Sequence, residues 1–308
     1  MKTDYYLGLS EEGFHHIVYT EWGTSSSRYA PLISIHGLTR NRRDFDNLAS
    51  YLSQREFHLV CPDMVGRGDS DWLKNPLYYT YEQYIADCNV LISRMHTQKV
   101  DWIGTSMGGI IGMILASLPN SPIRCLILND VGPQIHLQGL TRLMLNATQH
   151  PYFSSLEAAI QYHKTTLPDL GNLTEAQWKQ ITENSIYEMK PGVFTLKFDP
   201  NIQTTSMKSK IAWKSVLHPH KALEGVLFDV ELWHIWKTIR CPVLVIHGKK
   251  SDILSTDIIE KMRHYPAPLD VLEVPEAGHA PALLDVAEHE MIYEWLKKTY
   301  ANNPSQTS

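Results

Sequence analysis

The stretch from Lys99 to Ser117, KVDWIGTSMGGIIGMILAS, leaves few folds open to this chain. Val100 to Ile103 is a short apolar run with β-branched residues at both ends, the pattern of a buried strand, and it breaks at Gly104. Ile110, Ile111, Met113, Ile114 and Leu115 then make an apolar run long enough for a buried helix. Between the two lies Gly104-Thr105-Ser106-Met107-Gly108. Strand, G-x-S-x-G, helix is the setting of a nucleophile elbow. A serine hydroxyl is a poor nucleophile and must be exposed, held still and set beside a base. The sharp turn does the first two, and side chains two positions either side of Ser106 would collide, which accounts for both glycines. The helix that follows points its amides and positive dipole end at the reacting centre, so the Met107 amide can donate to a developing oxyanion.

The rest of the chain repeats the alternation. Tyr5 to Leu9 and His16 to Trp22, joined by Glu11-Glu12-Gly13, read as a hairpin. Apolar strands follow at residues 31–35, 57–61, 123–128, 242–246 and 269–274, with helical patterns at 42–53, 80–96, 256–264 and 281–300. Such alternation predicts an α/β fold: a mostly parallel central sheet with helices on both faces. Sheets of this kind place their sites beyond the carboxyl ends of the strands, where His36-Gly37, Ser106, Asp130 and Asp252 fall. The rhythm stops only across residues 133–239, which are mostly helical in pattern and rich in His, Trp and Tyr. That segment is too long for an ordinary loop and leaves the sheet at the edge that carries Ser106. The expected organisation is therefore a core of residues 1–132 and 240–308 with a helical cap, or lid, inserted at 133–239.

Net charge is −5 and no long basic block is present, which argues against nucleic acid as a partner. The N-terminal MKTDYYLGLSEEGF has no apolar signal core, and no run reaches membrane-spanning length. Cys61, Cys88, Cys125 and Cys241 are scattered without CxxC spacing. They read as reduced thiols, so a cytoplasmic location and no membrane association are expected.

Taken together, His36-Gly37 after one strand, Asp63 with Gly66-Arg67-Gly68-x-Ser70 after the next, the Gly104–Gly108 elbow, Ser251-Asp252 and Gly278-His279-Ala280-Pro281 occur in a recognisable order. The chain resembles the α/β-hydrolase fold superfamily, of the branch with a helical cap, over nearly all of its length outside the cap. The resemblance implies a Ser-His-acid triad. Ser106 would be the nucleophile and His279 the base. Asp252 would be the acid, with Asp130, at the end of the strand after the elbow helix, as its rival. The oxyanion hole would use the backbone amides of Leu38 and Met107. His36 is expected to orient that loop or border the substrate pocket, and Asp63 and Arg67 to pair and brace the Gly66–Gly68 loop. Trp233 and Trp236 are expected to line the pocket, and Trp178 and Trp213 to divide between pocket and cap core. His15-His16 and His218-Pro219-His220 lack the convergent ligands of a metal site, and neither a metal nor an organic cofactor is expected. Phe198-Asp199-Pro200 has no assigned role.

The function these features imply is serine-dependent hydrolysis of a small or medium ester or acyl compound. Alternatives with the same triad are a C–C bond hydrolase or enol-lactonase of aromatic catabolism, and an acyltransferase. A ligand-binding receptor on the same fold is disfavoured by an intact Ser, His and Asp. Dehalogenase and epoxide-hydrolase chemistry needs an Asp at the elbow, which Ser106 removes.

Overall fold

The computed structural model describes residues 1–24, 28–136, 139, 141–143, 145, 149–202 and 230–302. A hairpin of β1 (Lys2–Ser10) and β2 (Gly13–Trp22) opens the chain. Then come β3 (Leu32–Ile35), α1 (Asp46–Ser53), β4 (Leu59–Pro62), α2 (Tyr81–Arg94), β5 (Val100–Thr105), α3 (Met107–Ser117) and β6 (Ile123–Asn129). The 133–239 segment contributes β7 (Gln134–Ile135), β8 (Tyr152–Phe153), α4 (Leu156–Thr166), α5 (Glu175–Ser185), β9 (Ile186–Lys190), β10 (Val193–Leu196), β11 (Val230–Glu231) and α6 (Trp233–Trp236). The core resumes with β12 (Val243–Gly248), α7 (Thr256–Met262), β13 (Leu269–Val274) and α8 (Val286–Asn302).

The central sheet has eight strands in the order β1-β2-β4-β3-β5-β6-β12-β13. The β1–β2 and β2–β4 pairings are antiparallel and the rest are parallel. β3, β4, β5, β6 and β12 are buried almost throughout, which is why they read as continuous apolar runs rather than alternating ones. Their side chains still divide by parity. Ile33, Ile35, Trp102, Leu126, Leu128, Val243 and Val245 share one core with α2, α3 and α7. Leu32, Ile103, Ile127, Leu244 and Ile246 share the other with α1 and α8. Parallel pairing carries the ends of β3, β5, β6 and β12 to one edge, and everything chemical gathers there.

The inserted segment is not simply helical. Its described residues include an antiparallel sheet in the order β8-β10-β9 and a β7–β11 pair beside α4 and α5. α4 and α5 account for the helical pattern expected of the segment; the strands beside them run only two to five residues each. Trp213, His218 and His220 lie outside the described residues. His15 and His16 alternate on β2 and so turn to opposite sides, His15 to buried Asp87 at 3.0 Å and His16 to exposed Asp71 at 2.9 Å. All four cysteines are free, and burial pushes the Cys61 and Cys241 thiols up to about 12. No described helix is long and apolar enough to cross a membrane.

Candidate active site

Ser106 sits between β5 and α3 with φ 51° and ψ −109°, a region that non-glycine residues rarely occupy. The neighbours make this possible. A Cβ on Gly104 would lie 2.2 Å from the Gly108 carbonyl carbon, and one on Gly108 would lie 2.1 Å from the Ile35 carbonyl oxygen. Neither clash involves a side chain that could move aside, so both positions exclude any other residue. The Ser106 amide donates to the Asn129 carbonyl at 3.1 Å, pinning the turn to β6.

His279 Nε2 lies 3.0 Å from Ser106 Oγ, and its Nδ1 lies 3.0 Å from Asp130 Oδ2. An ionised carboxylate only accepts, so Nδ1 carries the proton and Nε2 is free to take one from Ser106. The His279 loop is held from below by Asn129, whose Nδ2 donates to the Pro281 carbonyl at 2.9 Å. It is held from the inserted segment by Gly278 N–H to the Asp169 carbonyl at 2.8 Å and Ala282 N–H to the Leu170 carbonyl at 3.1 Å. Asn129 escaped the sequence reading because a strand-end asparagine has no signature of its own.

The carboxylate facing His279 is therefore Asp130 and not Asp252. Asp130 is fully buried. Its Oδ2 also accepts from Ser251 Oγ at 2.6 Å, and its Oδ1 accepts from the Gly248 amide at 3.0 Å. His247 Nδ1 lies 3.4 Å from Oδ1. Burial is the largest influence on Asp130 and raises its pKa; the hydrogen bonds from His247, His279 and Ser251 and the charge of His279 outweigh it, and the net shift is downward. Asp252 instead points outward and accepts from Arg142 Nε at 2.7 Å and Nη2 at 2.6 Å. Arg142 also reaches Asp169 at 3.0 Å. The turn closed by Ser251 N–H to the Gly248 carbonyl carries Asp252 past the histidine.

The loop bearing Leu38 is braced in a way that answers the expectation for His36. His36 is fully buried, with Nδ1 2.7 Å from the Gly37 carbonyl and Nε2 accepting from the Met64 amide at 3.0 Å. Both ring nitrogens serve the backbone, so His36 braces the loop. Burial drives its pKa down to about 3. The unfolded chain takes up a proton near pH 6.5 while the folded protein does not, so this histidine's contribution to stability falls as pH drops from there toward 3. His36→Gln should melt below wild type at pH 7, and the gap should shrink by about 2 kcal/mol between pH 7 and pH 5. Denaturant melts at the two pH values would check it; a constant gap would mean that His36 is not held neutral.

Three further expectations change. Asp63 pairs with Arg42, not Arg67, and accepts from the Arg42 and Asp69 amides at 2.7 and 2.8 Å. Trp236 is fully buried with its indole N–H on the Met262 carbonyl at 3.2 Å. Trp233 stacks on Tyr265 at 5.5 Å and donates to Gln134 at 3.2 Å. Both tryptophans pack at the join between α3, α6 and α7, Trp236 fully buried and Trp233 partly so. Trp178 is likewise buried on α5. Phe198-Asp199-Pro200 acquires a role: Asp199 N–H donates to the Gly66 carbonyl at 2.8 Å and its carboxylate accepts from Tyr79 at 2.7 Å, docking the inserted segment on the Gly66–Gly68 loop.

Comparison with known proteins agrees with this architecture. Residues 30–286 match the model of the α/β hydrolase fold family. The chain is 36% identical over 284 residues to the 3-hydroxybutyrate-oligomer hydrolase of Cupriavidus necator, covering 91% of this chain and 92% of that protein. Among solved structures, a Rickettsia typhi protein superposes with a TM-score of 0.84 at 32% identity, covering 97% of this chain and 99% of that one. An α/β hydrolase from Novosphingobium aromaticivorans does so with a TM-score of 0.80 at 29% identity, over 96% and 98% of the two chains. This protein belongs to the α/β-hydrolase fold family.

Proposed function

We propose that the protein is a serine esterase in which Ser106, His279 and Asp130 act as a catalytic triad. The observation that carries this reading is the continuous chain of contacts, Ser106 Oγ to His279 Nε2 and His279 Nδ1 to Asp130 Oδ2, each 3.0 Å. Ser106 Oγ attacks the ester carbonyl as His279 takes its proton. The carbonyl oxygen becomes an oxyanion that accepts from the Leu38 and Met107 amides. Met107 opens α3, so its amide is one of the helix's unsatisfied first N–H groups. His279 then protonates the departing alkoxide, and water enters to cleave the acyl-enzyme by the same steps in reverse. Asp130 keeps the histidine in the Nδ1–H tautomer and offsets the charge that forms on it.

Residues 133–239 would serve as the lid. They leave the sheet just past Asp130, return before β12, and touch the His279 loop through Asp169 and Leu170. The likeness to a 3-hydroxybutyrate-oligomer hydrolase puts short oligoesters of hydroxy acids first among substrates. The test is hydrolysis of 3-hydroxybutyrate dimer and trimer, p-nitrophenyl butyrate, a ring-fission diketone and an enol-lactone in parallel, together with mass spectrometry after a fluorophosphonate. Ester cleavage and a phosphonyl group on the Ser106 peptide are expected. Turnover confined to the diketone or lactone, or labelling elsewhere, would refute the esterase reading.

A further inference from the structure

Arg67 is fully buried in the Gly66–Gly68 loop beyond β4. Its Nε donates to the Leu38 carbonyl at 2.9 Å, its Nη1 to the Val65 carbonyl and the Tyr84 hydroxyl at 2.8 Å each, and its Nη2 lies 3.6 Å from Met107 Sδ. Among the described residues no carboxylate forms an ion pair with it, since Asp63 is taken by Arg42. The Tyr84 and Tyr79 rings, 4.8 and 5.8 Å from its Cζ, and neutral hydrogen-bond acceptors lie around the charge. Taking a cation out of water without a counter-ion is expensive, so a role beyond bracing is called for. The two residues it touches from behind are the two whose amides would receive the oxyanion.

We propose that Arg67 is the positioning residue of the oxyanion hole, locking the Leu38 peptide and backing the hole with a positive charge that no carboxylate pairs directly. The inference rests on the Ser106 chemistry proposed above. Two peptide planes meet at the Leu38 Cα. The Gly37 carbonyl is tied by His36 Nδ1 at 2.7 Å and the Arg40 amide at 3.2 Å, and the Leu38 carbonyl by Arg67. With both planes tied, the Leu38 N–H keeps one direction. The loop that carries Arg67 is held from the far side, because Gly68 N–H donates to the Lys197 carbonyl at 2.9 Å and Asp199 N–H to the Gly66 carbonyl at 2.8 Å. A fixed charge in a water-poor site favours an anion far more than a neutral carbonyl. Its effect belongs to the transition state, and appears in kcat rather than in ground-state binding.

The test compares wild type, Arg67→Gln and Arg67→Lys on p-nitrophenyl butyrate and on two inhibitors. One is an alkyl trifluoromethyl ketone, whose carbonyl carbon bonds to Ser106 Oγ as the hydroxyl proton passes to His279 Nε2, leaving an anionic hemiketal; the other is the matching secondary alcohol, which forms no adduct. Arg67→Gln should lower kcat by about 10²-fold and weaken the ketone by the same factor. KM and alcohol inhibition should stay within about threefold of wild type. Arg67→Lys should fall between, and decides the matter if the Gln variant does not fold. The ¹⁹F signal of the hemiketal should vanish in Ser106→Ala. A signal that survives there would overturn the Ser106 reading itself. A signal that depends on Ser106, with ketone affinity unchanged in the Arg67 variants, would overturn the Arg67 inference alone. Equal weakening of ketone and alcohol would mark a purely structural role and would overturn it as well.

Discussion

Replacing Ser106 with alanine should lower p-nitrophenyl butyrate turnover by roughly 10⁴- to 10⁶-fold without unfolding the protein, as loss of the nucleophile does in other serine triads. The size follows from the site's economy. His279 Nε2 has one acceptor role to play, toward Ser106 Oγ at 3.0 Å, and without that hydroxyl no group remains in line to attack. The fold should survive because the turn is held by backbone contacts. The Ser106 amide bonds to Asn129, and Gly104 and Gly108 close the space around it. Steady-state kinetics and a thermal melt on freshly purified variant would check both halves. Residual turnover above about a tenth of wild type, with contaminating esterase excluded, contradicts the nucleophile assignment.

Asp130→Asn should be nearly as damaging, with a loss of about 10⁴-fold, the scale seen when an acid is amidated in a comparable triad. The Gly248 amide requires an acceptor at one side-chain position, so the asparagine oxygen is drawn there. Its NH₂ group then faces His279 Nδ1 and makes that nitrogen an acceptor. The ring proton moves to Nε2, the nitrogen that must receive a proton from Ser106. Asp252→Asn should cost no more than about fivefold, because Asp252 is in a half-exposed ion pair with Arg142, and such pairs contribute up to ~1 kcal/mol. Rates for the two variants, compared at matched melting temperature, decide between the carboxylates. A larger loss at Asp252 would return the acid role to it.

The elbow was legible because everything that makes it is local. Two glycines at fixed spacing around Ser106, an apolar run with β-branched ends before it and a helical run after it are properties of a short window. The steric argument for Gly104 and Gly108 reappears unaltered as two carbonyl clashes. The parallel sheet was legible for a related reason: strands buried on both faces must be apolar throughout, and the chain shows five such runs. His279 was legible from its place before the last helix. The tryptophans of α6 could not be placed from sequence, because an aromatic helical face looks the same whether it packs on α7 or lines a cavity.

Which carboxylate meets His279 was another matter. That answer depends on the pairing of β6 with β12, where Asn129 stands opposite Ile246 and brings Asp130 beside Gly248. It depends also on a turn that swings Asp252 out to Arg142, a residue far away in sequence. The same holds for Arg67, whose partners Leu38, Tyr84 and Met107 come from three separate segments. The sequence by itself determined the sheet and the turn that carries Ser106, since hydrophobic period and backbone sterics act between near neighbours. The tertiary structure alone decided which carboxylate faces His279, the neutral His36 and the buried Arg67. Charges and hydrogen bonds act through distance in space, and strand register, not sequence separation, sets that distance.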